Sequence, residues 1–525
     1  MKKHAPLLYF FALTTLSACS SEQSKGESDK NDATSKNLGA DGNDSSSADG
    51  NDSSSADGTG RDDSKNVVNT TPIVPTQCEG AKPSPLKGAW SDEVILDPSH
   101  EEFFVSPDGK KSNDGSQTSP WDLESVLSAE QEIPGGSVVW LSEGGYFKPG
   151  ATDMQSAAFG VILSGKEDNP IHLRAELGAR VSIDGGFRID LSSWLWIWDL
   201  EMTPKTEWRP EDYHIPGNDL SAFPNARDGL NILASTDTKF INLVVHHNSV
   251  TGVSHWKSNA NSEMHGSLVY DNGHVGDSRG AGPGLYHQNT SETERVVTDN
   301  ILAGNFSTAM QVRGSGGTED KDERYTHYFR FEGNTWFAPR EQSGARNYLH
   351  TSHTRTQNFQ FNENFIHGYE MRMPNDYWNY DEVGYIEANN QHCDGNHFIH
   401  TEISDALAPV CRLFGKNEES LPEQSDSILR PNKYDPRRAN LMVTNHERVD
   451  ELSVSLGCFA EAGDRIRILN SLDFFGPAIV DVVYNGEFVN IPWPEAPWDM
   501  FSKLDPRDLS TFHKEFWAFV VMKNE

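Results

Sequence analysis

The stretch FINLVVHHN at residues 240–248 decides how this chain is read, because its pattern keeps returning. EMHGSLVYDN follows at 263–272, VTDNILAGN at 297–305, FRFEGN at 329–334, FQFNEN at 359–364 and YIEANN at 385–390. Each copy is a short apolar or alternating run, strand-like in its period, with an asparagine where it turns. The strand-end residues Asn300, Asn334, Asn364 and Asn390 fall 34, 30 and 26 residues apart. One strand–turn unit recurring at such intervals marks a solenoid, in which each unit buries its apolar face against the next. Asparagine suits the turn because its short amide tolerates left-handed backbone and bonds locally. It can also stack on its counterpart one rung away.

The same pattern extends upstream. Val138–Leu141, Ile171–Ala175, Val181–Ile183 and Trp194–Leu200 are apolar or alternating runs bounded by turn residues, and helical periodicity is confined to Leu123–Glu130. FVSPDG at 104–109, NDGS at 113–116, SPW at 119–121, PGGSVVWL at 134–141, GGY at 144–146 and IDGG at 183–186 complete the series. Together these segments resemble the right-handed parallel β-helix proteins of the pectate-lyase-like superfamily, over about Phe103 to His400. The resemblance implies a fold more than a reaction, since that superfamily holds lyases, glycoside hydrolases, epimerases and phage adhesins. From Arg430 the runs alternate again (RPNKYDPRRANLMVTN at 430–445, VVYNG at 482–486, FWAFVVM at 516–522) and resemble a small β-sandwich. It is expected to cap the open end of the solenoid. The fold class expected is therefore all-β: a right-handed parallel β-helix over 86–425 followed by a C-terminal β-sandwich over 426–525.

The first part of the chain addresses location. Lys2 and Lys3 precede a short apolar run, Leu7–Leu13, too short to remain in a bilayer as a spanning helix. Leu16-Ser17-Ala18-Cys19 resembles a lipobox, which makes residues 1–19 a lipoprotein signal and Cys19 the lipidated residue. Ser20 rather than aspartate follows, so a cell-envelope protein anchored at the outer membrane is expected. Residues 20–85 are expected to be a disordered tether: GNDSSSAD at 42–49 repeats at 50–57, with almost no large apolar residue.

The net charge of −34 over 525 residues argues against nucleic acid as a partner. A polysaccharide partner, a membrane reached through the lipid alone and a monomeric chain are expected. Setting Cys19 aside, the four cysteines Cys78, Cys393, Cys411 and Cys458 allow three pairings. Cys393 with Cys411 closes a short loop and is preferred, which leaves Cys78 to clip onto Cys458.

Function on a solenoid lies on its outer faces and loops. The Gly-rich loop DSRGAGPG at 277–284 delivers Tyr286, His287 and Gln288; strand alternation puts Tyr286 and Gln288 on one face and His287 on the other. The loop is similar to a motif of one uncharacterised β-helix group that reads RGHGHG before Ile/Leu-Tyr. Ala281 and Pro283 stand where histidines are expected, which keeps a binding-only role open. From Arg324 to His367 five arginines (Arg324, Arg330, Arg340, Arg346, Arg355) meet three glutamates, no lysine and no aspartate. This reversal of charge suits a carboxylated or sulfated ligand.

A lyase acting on an acidic glycan is the leading expectation. It needs a cation to neutralise the sugar carboxylate, Arg313, Arg355 or calcium held by Asp228 and Glu263. It also needs a base for the adjacent proton, His287, His350 or Lys257. A glycoside hydrolase would use two carboxylates from Asp228, Glu263 and Asp277. Trp256, Arg279, Tyr286, Gln288, Arg324, His353 and Trp378 complete the expected substrate contacts.

Overall fold

From Glu102 to Ile403 nearly every strand pairs in parallel with the strand one coil onward. The computed structural model describes residues 72–81, 100–148, 158–204, 215, 228–275, 280–313, 325–338, 348–352, 355–368, 370–372, 392–403, 417–495 and 512–524. Each coil contributes one strand to each of three sheets, giving the parallel β-helix that the repeats predict. Sheet A includes Val138–Leu141, Ser192–Trp198, Arg295–Thr298, Tyr325–Glu332 and Arg355–Asn362. Sheet B includes Phe187–Ile189, Leu285–Gln288, Met310–Arg313 and Tyr348–Ser352. Sheet C runs from Gly144–Tyr146 to His397–Ile399. The long strands Leu230–Ile241 and Val253–His265 bend round the corner and serve both B and A. Aliphatic side chains and a column of phenylalanines, Phe331, Phe361 and Phe398, fill the interior.

The turn from sheet A to sheet C explains the asparagines. The residue before each one has a left-handed backbone: Asp299 (φ 54°), Gly333 (φ 66°), Glu363 (φ 55°) and Gly395 (φ 67°). The next residue is Asn300, Asn334, Asn364 or Asn396; the amide oxygen of Asn300 accepts from the Ser267 backbone N–H, and that of each later one accepts from the asparagine one coil back. The Nδ2–Oδ1 distances are 2.9 Å from Asn300 to Asn334, 3.1 Å from Asn334 to Asn364 and 3.0 Å from Asn364 to Asn396. Asn417 ends the ladder at 2.8 Å from Asn396. The expected member Asn390 lies outside the described residues, and Asn396 holds the rung after Asn364 instead. A second ladder, Asn248–Asn272–Asn305, holds the corner after sheet C.

The C-terminal module is antiparallel. Asp426–Pro431, Arg438–Thr444, Phe516–Asn524, Arg465–Asn470 and Val480–Val483 form one sheet, and Glu451–Val454 with Val489–Pro492 forms a second. It does not sit on the solenoid's open end as a cap. It lies along the flank, where Phe516 and Trp517 join Val244, Leu268, Ile301, Phe337 and Phe365 of sheet C in one apolar cluster. Those positions alternate with the lumen positions, so sheet C is apolar on both faces and needs a cover.

Residues 72–81 correct the expected tether over 20–85. Ile73 bridges to Val454 and Gln77 to Ile428, so this segment is part of the C-terminal module. Cys78 is disulfide-bonded to Cys458, 380 residues away. Cys393 is also disulfide-bonded, and its expected partner Cys411 lies outside the described residues, as do Cys19 and the lipobox. No helix among the described residues is long and apolar enough to cross a membrane.

Candidate functional site

Sheet B carries an ordered register row of polar and aromatic positions, with Asn231 and Tyr286 on its outer face. Parallel register aligns Arg188, Asn231, Ser254, Tyr286, Gln311, His350 and Arg372 across seven coils, and a neighbouring row aligns Gln288, Arg313 and Ser352. Rungs in such a sheet repeat about every 4.8 Å. The row is therefore long enough to face several residues of an extended chain.

At its centre the side chains are linked. Trp256 Nε1 donates to Asn231 Oδ1 (2.9 Å), and Asn231 Nδ2 donates to Asp228 Oδ2 (3.2 Å). The Trp256 and Tyr286 rings lie 5.1 Å apart, tilted by 55°, and Gln288 Nε2 donates to the Tyr286 hydroxyl (2.7 Å). Two half-exposed rings held by amides present flat apolar area beside hydrogen-bonding groups, a surface suited to sugar rings. Asp228 also accepts from the Thr251 backbone N–H (2.9 Å). Burial raises its carboxyl to about 6, against the hydrogen bonds from Thr251 and Asn231 that pull it down.

Arg295 builds this site, and its local sequence gives no sign of it. It is buried and donates to the carbonyls of His255 (3.0 Å), Trp256 (3.3 Å), Asn259 (2.5 Å) and Gln288. It thereby ties the bend of the strand Val253–His265, which presents Trp256, to the end of the strand that presents Gln288. Burial alone lowers its pKa to about 9.

The structure sorts the expected residues. Tyr286, Gln288 and Trp256 come together on sheet B, with Lys257 exposed beside them. Arg313 and His350 fall in the same register rows. His287 does not belong to the site. It is fully buried inside the solenoid against His255, Phe329 and Phe331, and burial, then Arg295, holds its pKa well below the ordinary value. A neutral imidazole sealed from solvent is not an available base. Arg355 begins a strand of sheet A, paired with Tyr325, whereas Arg313 ends a strand of sheet B.

Glu263 is corrected as well. It lies on the outer face of sheet A beneath the C-terminal module, where Lys433 (2.5 Å), the Tyr434 hydroxyl (2.5 Å) and Lys239 (3.4 Å) occupy its carboxylate. Burial pushes this carboxyl up, but Lys433 and Lys239 overcome it and hold it well below the usual range. Asp228 and Glu263 thus stand on different sheets and do not make a calcium site together. Of the arginine island, Arg330 is buried and paired with Glu332 (2.7 Å). Asp277, Arg279, Arg324, Arg340, Arg346, His353 and Trp378 lie outside the described residues.

A second polar cluster lies on sheet C. Arg180 grips Glu201 through two nitrogens (2.8 and 2.7 Å), and Glu201 accepts from His246 Nε2 (2.8 Å). His246 Nδ1 meets His247 Nδ1 (2.5 Å), and His247 Nε2 reaches Asp271 (3.0 Å). Arg180 lies over Phe475 of the C-terminal module, which places this cluster at the docking seam.

No protein-family model matches the chain. A stretch of 68 residues, 13% of this chain, is 35% identical to the pectate disaccharide-lyase of Dickeya chrysanthemi, and the match spans 9% of that enzyme's length. Among solved structures, pectate lyase Pel9A aligns over 62% of this chain and 78% of its own, at 13% identity and a TM-score of 0.34. The GH136 lacto-N-biosidase of Eubacterium ramulus aligns over 61% of this chain and 67% of its own, at 12% identity and a TM-score of 0.31. None of these likenesses is strong enough to carry a reaction across.

Proposed function

We propose that this chain is a carbohydrate-active protein that takes an acidic polysaccharide along the outer face of sheet B and cleaves it as a lyase. The observation that carries this reading is the Trp256–Tyr286 pair, fixed by Asn231 and Gln288 within a register row that spans seven coils. The local match to a pectate disaccharide-lyase supports the same substrate class. In this reading Arg188 and Arg313 neutralise the sugar carboxylate, and Lys257 is the base that removes the adjacent proton. Calcium remains the alternative neutralising cation, without Glu263 as its ligand. The chain works from the cell envelope, anchored through Cys19, as a monomer.

The test is a panel of acidic and neutral polysaccharides incubated with the protein. Unsaturated product absorbing in the ultraviolet supports the lyase; reducing ends without it transfer the reading to a hydrolase. Trp256→Ala is expected to weaken binding by about 2 kcal/mol, roughly 30-fold in Kd, as truncating a central aromatic contact does. Unchanged affinity would remove the face from the proposal. A second reading, glycan binding without cleavage, is favoured by the burial of His287 and Glu263, and binding with no product would establish it.

Asp228 supplies a pH signature. Its carboxyl is neutral below about 6 and negative above it. An acidic oligosaccharide is therefore expected to bind more tightly near pH 5 than near pH 7, and Asp228→Asn is expected to flatten that step. Calorimetric titration of both proteins across the range decides it, and equal slopes would contradict it.

A further inference from the structure

Outside sheet B, one group of side chains has the composition of a metal site. His367 closes the sheet C strand Phe365–His367, and His400 follows the strand Ile399 ends, one coil onward. Glu515 ends the short helix Phe512–Glu515 that leads into the last strand of the C-terminal module. One donor atom from each of the three lies within 4.8 Å of the others. His367 and Glu515 are buried, and the His400 side chain is 40% exposed.

We propose that His367, His400 and Glu515 bind a divalent cation of the zinc class, which ties two coils of the solenoid to the C-terminal module. Two imidazoles with one carboxylate suit zinc and its neighbours and suit calcium or magnesium poorly, since those prefer all-oxygen shells. Zinc bonds of about 2.0–2.2 Å put tetrahedral ligand atoms about 3.3 Å apart, so modest side-chain rotation closes the present arrangement. Packing fixes the His367 ring: it stacks on Phe516 (centroids 5.4 Å apart) and meets His400 edge-on (5.5 Å). The exposed His400 side chain supplies an entry path. Glu515 also pairs with His400 through Oε2 (2.8 Å) and with Arg448 through Oε1. Arg448 is thus a resident cation competing for one carboxylate oxygen.

The test uses the full-length protein in detergent, stripped with a chelator and titrated with zinc by equilibrium dialysis and elemental analysis. One tightly bound zinc per chain is expected, and cobalt substitution is expected to give a visible ligand-field spectrum. His400→Gln removes an exposed ligand and leaves the fold intact by circular dichroism. Losing an outer partner of a metal site costs about 10–100-fold in affinity, and losing this ligand is expected to cost at least that. Arg448→Gln is expected to tighten binding, because it releases Glu515. Sub-stoichiometric zinc in the parent protein, or equal affinity in the parent and His400→Gln, would overturn the site.

Discussion

Replacing Arg430 by methionine is expected to destabilise the protein by about 3–5 kcal/mol, the usual cost of leaving one partner of a buried ion pair uncompensated. Arg430 reaches from the C-terminal module to the corner between sheets A and C. Its Nε meets Asp299 Oδ1 (2.5 Å), its Nη1 meets Glu363 Oε2 (3.1 Å), and it is almost fully buried. Asp299 is the hub of that corner. Its carboxylate also accepts from Ala81 N (2.9 Å), and its carbonyl from Asn440 Nδ2 (2.6 Å). Methionine keeps much of the volume and strands the Asp299 charge. Pairing it with Asp299→Asn removes that charge, so the double variant is expected to recover part of the loss in a mutant cycle followed by urea unfolding. A loss below about 1 kcal/mol for Arg430→Met alone would mean that docking does not depend on this pair. The corner leaves no slack: a methyl group on Gly333 would sit 2.3 Å from the Arg430 nitrogens and from Asp299 Oδ1, on a backbone already left-handed.

The second large effect is expected at Asn334. In Asn334→Leu, Asn300 loses the acceptor for its backbone N–H (3.1 Å) and for its amide (2.9 Å), and the Val297 carbonyl loses a donor (2.8 Å). Each orphaned buried donor costs about 1–3 kcal/mol, so the sum is a large part of a domain's stability. Asn417→Leu, at the ladder's half-exposed end, is expected to cost clearly less. Equal losses at the two positions, measured as shifts in the urea midpoint, would show that the ladder does not act as a continuous stack.

Much of this architecture is legible in the sequence, for a physical reason. A repeated turn demands the same chemistry in every coil, so Asn300, Asn334 and Asn364 stand out. The next rung is harder to see because YIEANN at 385–390 has the same outward form. The pair that the turn uses is Gly395-Asn396, matching Gly333-Asn334 in its left-handed residue. Strand parity separates Tyr286 and Gln288 from His287. Carried one residue further, it aligns His287 with the buried Leu285, which is the signal that it faces inward. Glu263 has no comparable signal, because Lys433 and Tyr434 lie some 170 residues away along the chain. Arg295 is likewise defined by carbonyls that only the folded coils bring together.

The strap formed by residues 72–81 also sets how the molecule bears load. A pull on the chain ahead of Pro72 is taken up by the pairing of Ile73 and Gln77 with the C-terminal module and then by the Cys78–Cys458 bond. The force enters the last-made part of the chain and bypasses the first coil. The coils of sheet B keep their spacing under tension, as the rungs of a ladder do when it hangs from a bracket on its rail.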